Sequence, residues 1–169
     1  ADWRLIIEHN QDNDLKFPSE EIVRSLHKDI YPNINIFPNA KLSVLDFGCG
    51  AGRNTQIFDK DKYEVYGYDL STEAINMASS RFPECNFTTN SNEYMSRKYH
   101  IIVADSCLDS MPWYDAVSSV TEIYNSLYNK GFFVLSLLEA DSKRTRYNDL
   151  DDILIQDEFE KDTIQIYFD

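Results

Sequence analysis

Residues 44–52 read VLDFGCGAG, and they are the part of the chain that indicates its fold most directly. The apolar run at residues 41–47 has the length and composition of a buried strand, and three glycines follow it. A helix is expected from about residue 53 to residue 58 or beyond. Ligands of open α/β sheets bind outside the carboxyl ends of the strands, where missing side chains let them approach the backbone. The stretch therefore predicts a ligand-binding loop, although a tight turn alone would also favour glycine.

Strand-like and helix-like segments alternate around this loop. Further strands are expected at residues 64–68, 86–89, 100–104 and 132–138, and helices at residues 20–29, 73–80 and 113–128. Ser19 is the expected cap of the first helix, and Ser71 or Thr72 of the second. Such alternation is typical of βα units, so we expect a Rossmann-like, doubly wound, mostly parallel sheet with helices on both faces.

The segment 113–128 has the apolar spacing of an amphipathic helix. Its expected sheet-facing side chains are Val117, Val120, Tyr124, Leu127 and Tyr128. Gly131 is expected to end the helix in the left-handed conformation, before the last strand of the core.

Asp69 closes the second predicted strand, about twenty residues after the glycine loop. At that spacing a carboxylate can accept hydrogen bonds from both ribose hydroxyls of an adenosine lying across the strand ends. The glycine spacing is GxGxG, with Arg53 where a dinucleotide site carries its third glycine. A nicotinamide dinucleotide is therefore disfavoured. An adenosine ligand that carries an ammonium and a sulfonium would instead find an opposite charge in Asp46.

The loop at 44–52, followed by YGYDLS at 66–71, resembles motifs I and II of class I S-adenosylmethionine-dependent methyltransferases. The resemblance covers residues 42–138. It implies S-adenosylmethionine as cofactor and S-adenosylhomocysteine as product, with Asp46 near the methionine amino group and Asp69 on the ribose. The implied cofactor-binding residues are Asp46, Gly48, Cys49, Gly50, Gly52, Asp69, Leu70, Asp105 and, around the adenine, Asn90, Ser91 and Asn92.

In this family a loop after the fourth strand faces cofactor and acceptor, and here it spans residues 105–112. Asp105 and Asp109 are the candidate catalytic residues. Many small-molecule members carry Glu-His where this chain has Asp109 and Ser110, so the acid or base role is left open. Methyl transfer can proceed by positioning, because the positive leaving group is already activated.

The residues that other catalytic mechanisms would need are missing or do not stand in the required pattern. The Asn/Asp-Pro-Pro-Tyr motif of amino methylation is absent, and Cys107 does not follow a proline, so we interpret it as a packing residue. His100 opens a strand at the far end of the sheet, and His9 and His27 are expected to be exposed. Asp105, Glu139 and Asp141 are the alternative metal ligands, but acidic residues are abundant in this chain and we expect no metal.

The amino-acid composition limits the classes of partner that the protein is expected to bind. The net charge of the 169 residues is −13, which opposes a nucleic-acid substrate, and residues 143–146 are the one basic cluster. Three scattered cysteines form no disulfide or metal spacing, and the longest apolar run, at residues 131–138, is too short to span a membrane. We therefore expect a cytoplasmic protein with a small-molecule acceptor and no membrane or nucleic-acid partner. The sequence does not predict the oligomeric state.

The expected organisation is a single domain. It comprises an N-terminal helical cap at 1–40, the cofactor-binding core at 41–138 and a short C-terminal extension at 139–169. The extension offers two short strands, at 153–155 and 163–168, so the sheet is expected to lack the last helix and the C-terminal strands of the family. The expected walls of an acceptor pocket are Trp3, Phe17, Tyr31, Trp113 and Tyr147.

These observations predict methyl transfer from S-adenosylmethionine to an oxygen or nitrogen of a small molecule, with sugars and other metabolites as the suggested class. The alternative is a catalytically silent S-adenosylmethionine-binding or scaffold subunit, which the short C-terminal part and the sparse site chemistry leave open.

Overall fold

The computed structural model describes residues 17–34 and 40–137, and the backbone of residues 164–167. Its helices are α1 (Glu20–Ser25), α2 (Thr72–Arg81), α3 (Ser91–Met95) and α4 (Trp113–Asn125), and its strands are β1 (Leu42–Phe47), β2 (Tyr63–Tyr68), β3 (Asn86–Thr88), β4 (Tyr99–Asp105), β5 (Leu127–Ser136) and β6 (Ile164–Tyr167). A π-helical turn (Leu26–Ile30) follows α1, and 3₁₀ turns occur at Thr55–Ile57 and Leu108–Ser110.

The six strands form one sheet in the order β3-β2-β1-β4-β5-β6. Strands β1 to β5 are parallel, and β6 pairs with β5 in the antiparallel sense, with Leu135 opposite Ile164. The predicted Rossmann-like, mostly parallel sheet is therefore confirmed. Strand β6 falls within one of the two short C-terminal strands that the sequence predicts, whereas residues 153–155 lie outside the described residues.

The topology places the loops after β1, β2 and β4 at one edge. Phe47 at the end of β1 pairs with Tyr68 on one side and with Ala104 on the other. Strand β1 is thus the point where the strand order reverses, with β2 to one side and β4 to the other. Ligands of open α/β sheets bind in the crevice at such a switch point, beyond the carboxyl ends of the strands. We call this edge of the sheet the carboxyl edge.

Side chains alternate along the buried strands, so the sheet has a core on each face. Leu45 and Phe47 pack with the tyrosines of one face, including Tyr94 from α3. Val44 packs on the other face, where α1 and the π-helical turn also lie. In the described part of the segment before the sheet, residues 17–34, these elements therefore cover one face, and the Ser19 N–H reaches Asn54 in the loop after β1.

The helix predicted at 53–58 is wrong: the described chain forms turns and the short 3₁₀ helix Thr55–Ile57 there. Asn54 and Thr55 are buried, and their side chains form hydrogen bonds with residues distant in sequence. Side chains that form hydrogen bonds outside their own helix compete with regular helix formation. Here such bonds accompany turns and a 3₁₀ helix in place of an α-helix.

The predicted face of α4 is largely wrong. The helix ends at Asn125, so that Leu127 and Tyr128 belong to β5, and Val117 and Tyr124 are 43% and 48% exposed. Ile123 is the buried side chain of this helix. Gly131 is not left-handed either; Lys130 takes that conformation, with φ of 63°. A Cβ at Gly131 would lie 2.9 Å from the carbonyl oxygen of Tyr128, so close backbone approach explains this glycine.

The predicted caps have mixed outcomes. Ser71 caps α2, because its hydroxyl accepts a hydrogen bond from the Ala74 N–H at 3.2 Å. Ser19 precedes α1, but its hydroxyl donates to the Glu21 carboxylate instead of accepting from the helix backbone. Helix α3 was not predicted; Asn90 caps it. Within the described residues no helix is long and apolar enough to cross a lipid bilayer.

Candidate functional site

The glycine loop between β1 and the 3₁₀ turn is built from left-handed backbone. Gly48, Gly50 and Gly52 have φ of 71°, 53° and 84°. A Cβ on Gly48 would lie 2.6 Å from the Cβ of Cys107, whereas a Cβ on Gly50 would meet no atom within 4 Å. Gly48 is therefore required by packing against the loop after β4, while Gly50 leaves open space at the carboxyl edge. A ligand can reach the backbone at Gly50.

The Asp69 carboxylate joins the loops after β1 and β2. Its Oδ2 accepts the Gly50 N–H at 2.9 Å, and its Oδ1 accepts the Ser71 N–H at 2.9 Å. Each carboxylate oxygen has a second lone pair, so the group can still accept hydrogen bonds from a ligand hydroxyl. Leu70 follows and is 76% exposed, which makes it a free apolar surface beside this carboxylate.

Asp46 lies at the end of β1 and is 1% exposed. The Thr55 hydroxyl donates to its Oδ2 at 3.1 Å. Burial raises the pKa of Asp46 from its ordinary value of 3.8 to about 7, and the negative charges of Asp105 and Asp69 act in the same direction, against the Thr55 hydrogen bond. The charges of Asp105 and Asp69 thus reach Asp46 at the carboxyl edge, where Arg53 is the opposing charge, and such a concentration of acidic groups can attract a cation.

Asp105 is held by side chains from two other segments. Asn54 Nδ2 donates to its Oδ2 at 2.8 Å and Arg53 Nη2 lies 3.3 Å from the same oxygen. The Ser136 hydroxyl donates to Oδ1. With both oxygens engaged, this carboxylate is suited to organising its neighbours. The other candidate catalytic residue, Asp109, lies half-buried in the 3₁₀ turn Leu108–Ser110.

Asn90, Ser91 and Asn92 follow β3, two strands away from β1. Asn90 and Asn92 are exposed and Ser91 is half-buried. The Asn90 side chain accepts the Asn92 N–H at 3.1 Å. Which of the three contacts an adenine ring stays a prediction, as do the other cofactor contacts.

Cys49, Cys107 and His100 lie in packed surroundings. The Cys107 thiol donates to the Phe47 carbonyl oxygen at 3.3 Å, and burial raises the pKa of this thiol and of Cys49 well above the ordinary value. His100 lies at the opposite edge of the sheet, where its Nδ1 accepts the Ser43 N–H at 3.0 Å. His27 is exposed, as expected. No group of three or more His, Cys, Asp and Glu side chains within the described ranges is arranged to hold a metal.

The remaining expectations have separate outcomes. Of the expected pocket walls, Phe17 and Trp113 are 75% and 40% exposed, and Tyr31 stacks on Tyr63 at a centroid distance of 6.1 Å. A cavity of about 460 Å³ lies beside β2, β3 and α3, with Tyr66, Phe87 and Arg97 in its wall and no residue of the glycine loop lining it. The position of the site therefore rests on the loops and their hydrogen bonds. The predictions for six further positions concern residues outside the described ranges: Trp3, His9, Glu139, Asp141, residues 143–146 and Tyr147.

Sequence reasoning did not identify Asn54, Thr55 and Ser136 as site residues. Asn54 and Thr55 come directly after the glycine loop and its arginine, and this proximity was an available signal. Ser136 gave none, because its place opposite Asp105 follows from the β4–β5 register.

Comparison with known proteins agrees with this geometry. A family profile described as a methyltransferase domain matches residues 19–165. No curated protein matches the chain. The most similar solved structures include the plantazolicin methyltransferase BamL, crystallised with a triazolic desmethylPZN analogue and SAH, at 24% identity and a TM-score of 0.54. That match covers 73% of this chain and 50% of BamL, so the chain spans about half the length of this relative.

Two further solved structures have the same fold. An S-adenosylmethionine-dependent methyltransferase from Clostridium acetobutylicum is 19% identical with a TM-score of 0.62, and the match covers 87% of this chain and 61% of that one. CalS10, an amino pentose methyltransferase from Micromonospora echinaspora solved with bound SAM, is 17% identical with a TM-score of 0.53. Here the match covers 70% of this chain and 47% of CalS10.

Proposed function

The chain belongs to the methyltransferase domain family, matched over residues 19–165, and on that premise we propose that it transfers the methyl group of S-adenosylmethionine to a small-molecule acceptor. The product is S-adenosylhomocysteine. The methylated atom is an oxygen or a nitrogen, and the acceptor is a metabolite such as a sugar.

One observation carries the proposal: Asp69 accepts the Gly50 N–H at 2.9 Å, and Gly50 faces open space. The hydrogen bond places a carboxylate from the end of β2 beside the bare backbone that follows β1. An adenosine lying across the strand ends would meet its ribose acceptor at Asp69 and the uncovered glycine backbone together. Leu70, 76% exposed, would give the adenosine an apolar surface to cover.

The charges of the carboxyl edge fit the other half of the cofactor. S-adenosylmethionine carries an ammonium and a sulfonium, and when bound it supplies an activated methyl group. Asp46 and Asp105 are the carboxylates expected to face these cations, and Asp46 would then be held ionised by the opposite charge. The glycine loop contributes Gly48, Cys49 and Gly52 around the methionine part.

The described residues of the carboxyl edge favour catalysis by positioning. No histidine from the described residues lies there, the Cys107 thiol is engaged by a backbone carbonyl, and Asp105 already accepts from Asn54 and Ser136. Holding the acceptor in line with the sulfonium can supply a large part of the rate enhancement. Asp109 is the carboxylate we assign to the acceptor side.

The acceptor class rests on charge and on the relatives. A net charge of −13 disfavours a nucleic-acid acceptor. BamL was solved with a desmethylPZN analogue, and CalS10 is named as an amino pentose methyltransferase. A single domain spanning residues 1–169 and a reducing, cytoplasmic location belong to the same proposal; the free thiols of Cys49, Cys85 and Cys107 support the location.

Titration calorimetry of the full 169-residue chain with S-adenosylhomocysteine, and with NAD for comparison, tests the cofactor. We expect binding of the former alone, weakened about tenfold or more by Asp69→Asn, because one ribose acceptor is lost. Asp59→Asn is the matched control: Asp59 also accepts a backbone N–H two residues on, from Asp61 at 2.9 Å, but it precedes β2 at the opposite edge. A folded chain that binds NAD, or neither ligand, contradicts the proposal.

The acceptor is tested with S-adenosylmethionine that carries an isotopically labelled methyl group. The chain is incubated with metabolite, protein and nucleic-acid fractions, and mass spectrometry follows the label. Label in a small molecule supports the proposed acceptor class. Label in a macromolecule overturns that class but not the activity, and a chain that binds the cofactor without transferring label would be the silent subunit.

A further inference from the structure

Asn54 links the segment before the sheet to the end of β4. Its Oδ1 accepts the Ser19 N–H at 2.9 Å, and its Nδ2 donates to Asp105 Oδ2 at 2.8 Å. Asn54 is 5% exposed and Ser19 is 4% exposed, so water competes little for either hydrogen bond. One buried amide therefore connects the start of α1 with a carboxylate of the proposed cofactor site.

The chain of contacts continues from Asp105 into the loop that follows β4. The Ser136 hydroxyl donates to Asp105, and the Ser106 N–H lies 3.1 Å from the Ser136 hydroxyl oxygen and 3.0 Å from the Ser136 carbonyl oxygen. Ser106 has φ of 49°, a left-handed conformation that costs a non-glycine residue free energy. Four segments thus meet at the carboxyl edge, and Asp105 lies at the centre of their hydrogen bonds.

We infer that Asn54 is a positioning residue that couples the docking of the segment before the sheet to the orientation of Asp105, and so to the affinity for S-adenosylmethionine. The inference rests on the proposed function and adds a residue and a role that the glycine loop does not predict.

An amide fits both contacts at neutral pH. Its oxygen accepts from the Ser19 N–H while its nitrogen donates to Asp105; a carboxylate in its place could only accept, and an alanine could do neither. Arg53 also approaches Asp105 Oδ2, but at 3.3 Å and with its side chain 35% exposed. Arg53 therefore replaces the Asn54 contact only in part.

Acid rescue tests this role. In Asn54→Asp, two carboxylates would meet at hydrogen-bond distance and share one proton at low pH, when the protonated residue can again donate to Asp105. Relative to the unchanged chain at the same pH, we expect S-adenosylhomocysteine to bind Asn54→Asp about tenfold more weakly near pH 8 and almost normally near pH 5. Asn54→Ala should stay weak at both. The carboxylates of Asp46 and Asp69 and the guanidinium of Arg53 face the same cluster, and Glu21 contacts Ser19, so each affinity is compared with that of the unchanged chain at the same pH.

Asn33→Asp is the matched control. It makes the same change of amide to carboxylate on an exposed side chain after α1, where the Asn33 amide donates to the Asp29 carbonyl. Its affinity should follow that of the unchanged chain at each pH. Equal affinity of Asn54→Asp and Asn54→Ala at both pH values overturns the inference, because a merely structural loss has no reason to recover with acid.

A second test uses the backbone donor. Ser19 has φ of −64°, which proline adopts without strain, so Ser19→Pro removes the N–H that Asn54 accepts. Ser19→Ala keeps this N–H and should lose less affinity. If Asn54 carries the coupling, Ser19→Pro weakens binding in the unchanged chain but not further in Asn54→Ala. Additive losses overturn the inference, whereas an unchanged chain that fails to bind would overturn the proposed function itself.

Discussion

The two edges of the sheet contain similar residues in similar turns, but the surroundings of these residues differ. At the carboxyl edge, Asp69 accepts the N–H of Ser71; at the amino edge, Asp59 accepts that of Asp61 in the same local geometry. Each edge also has a titratable group desolvated by burial, Asp46 at one and His100 at the other. The surroundings of these groups differ. The carboxyl edge has the left-handed glycines of the loop after β1, and it is the edge at which the reversal of strand order around β1 opens a crevice.

A carboxylate bound to backbone N–H groups therefore does not by itself define a ligand site. Asp59 accepts a hydrogen bond within its own turn and forms an exposed ion pair with Lys62 at 3.4 Å, and neither contact joins it to a second loop. Asp69 satisfies a turn and also links two loops beside uncovered backbone.

The largest expected effect is the pH dependence of stability caused by Asp46. Its folded pKa is raised to about 7 from 3.8, so its contribution is fully present below about pH 4 and is lost as pH rises through 7. The loss reaches at most about 4 kcal/mol in the absence of ligand. Urea unfolding between about pH 4 and pH 8 measures it. Asp46→Asn should remove most of this slope; an equal slope in the variant would refute the assignment.

The next effect separates two glycines of one loop. Gly48→Ala should lower the free energy of unfolding by about 3 kcal/mol, because it adds left-handed strain and a Cβ 2.6 Å from that of Cys107. Gly50→Ala adds strain alone and should cost about 1 kcal/mol. It should nevertheless weaken S-adenosylhomocysteine binding more than its stability loss explains, because its Cβ enters the open space. Equal unfolding midpoints of the two variants would contradict the packing role of Gly48.

The smallest effect is at the amino edge. Burial lowers the pKa of His100, so its contribution is present above the unfolded value of about 6.5 and is lost as pH falls through the folded pKa, opposite in sign to Asp46. His100→Phe leaves the Ser43 N–H without its imidazole acceptor and should cost about 1 kcal/mol near pH 8. Affinity for S-adenosylhomocysteine should not change. A loss of affinity would mean that the two edges are not independent.

Much of the fold was predictable, because apolar periodicity reports burial directly. Strands β1, β2 and β4 were predicted to within one residue at each end, since each apolar run stops at a glycine or an aspartate. The errors occurred where tertiary contacts override local preference. The side chains of Asn54 and Thr55 form hydrogen bonds with Asp105 and Asp46, and the predicted helix does not form there. In α4, Val117 and Tyr124 are exposed although their spacing predicted burial.

By itself the sequence determined the glycine loop, the acidic residue that ends β2 and the alternation that makes the sheet parallel, because these depend on residues close together in the chain. The tertiary structure decided that Asp69 reaches Gly50, that Asp105 is held by Asn54 and Ser136, and that Gly50 rather than Gly48 faces open space. The physical reason is strand register: partners 19, 51 and 31 positions apart come within hydrogen-bond distance only when β2, β1, β4 and β5 lie side by side.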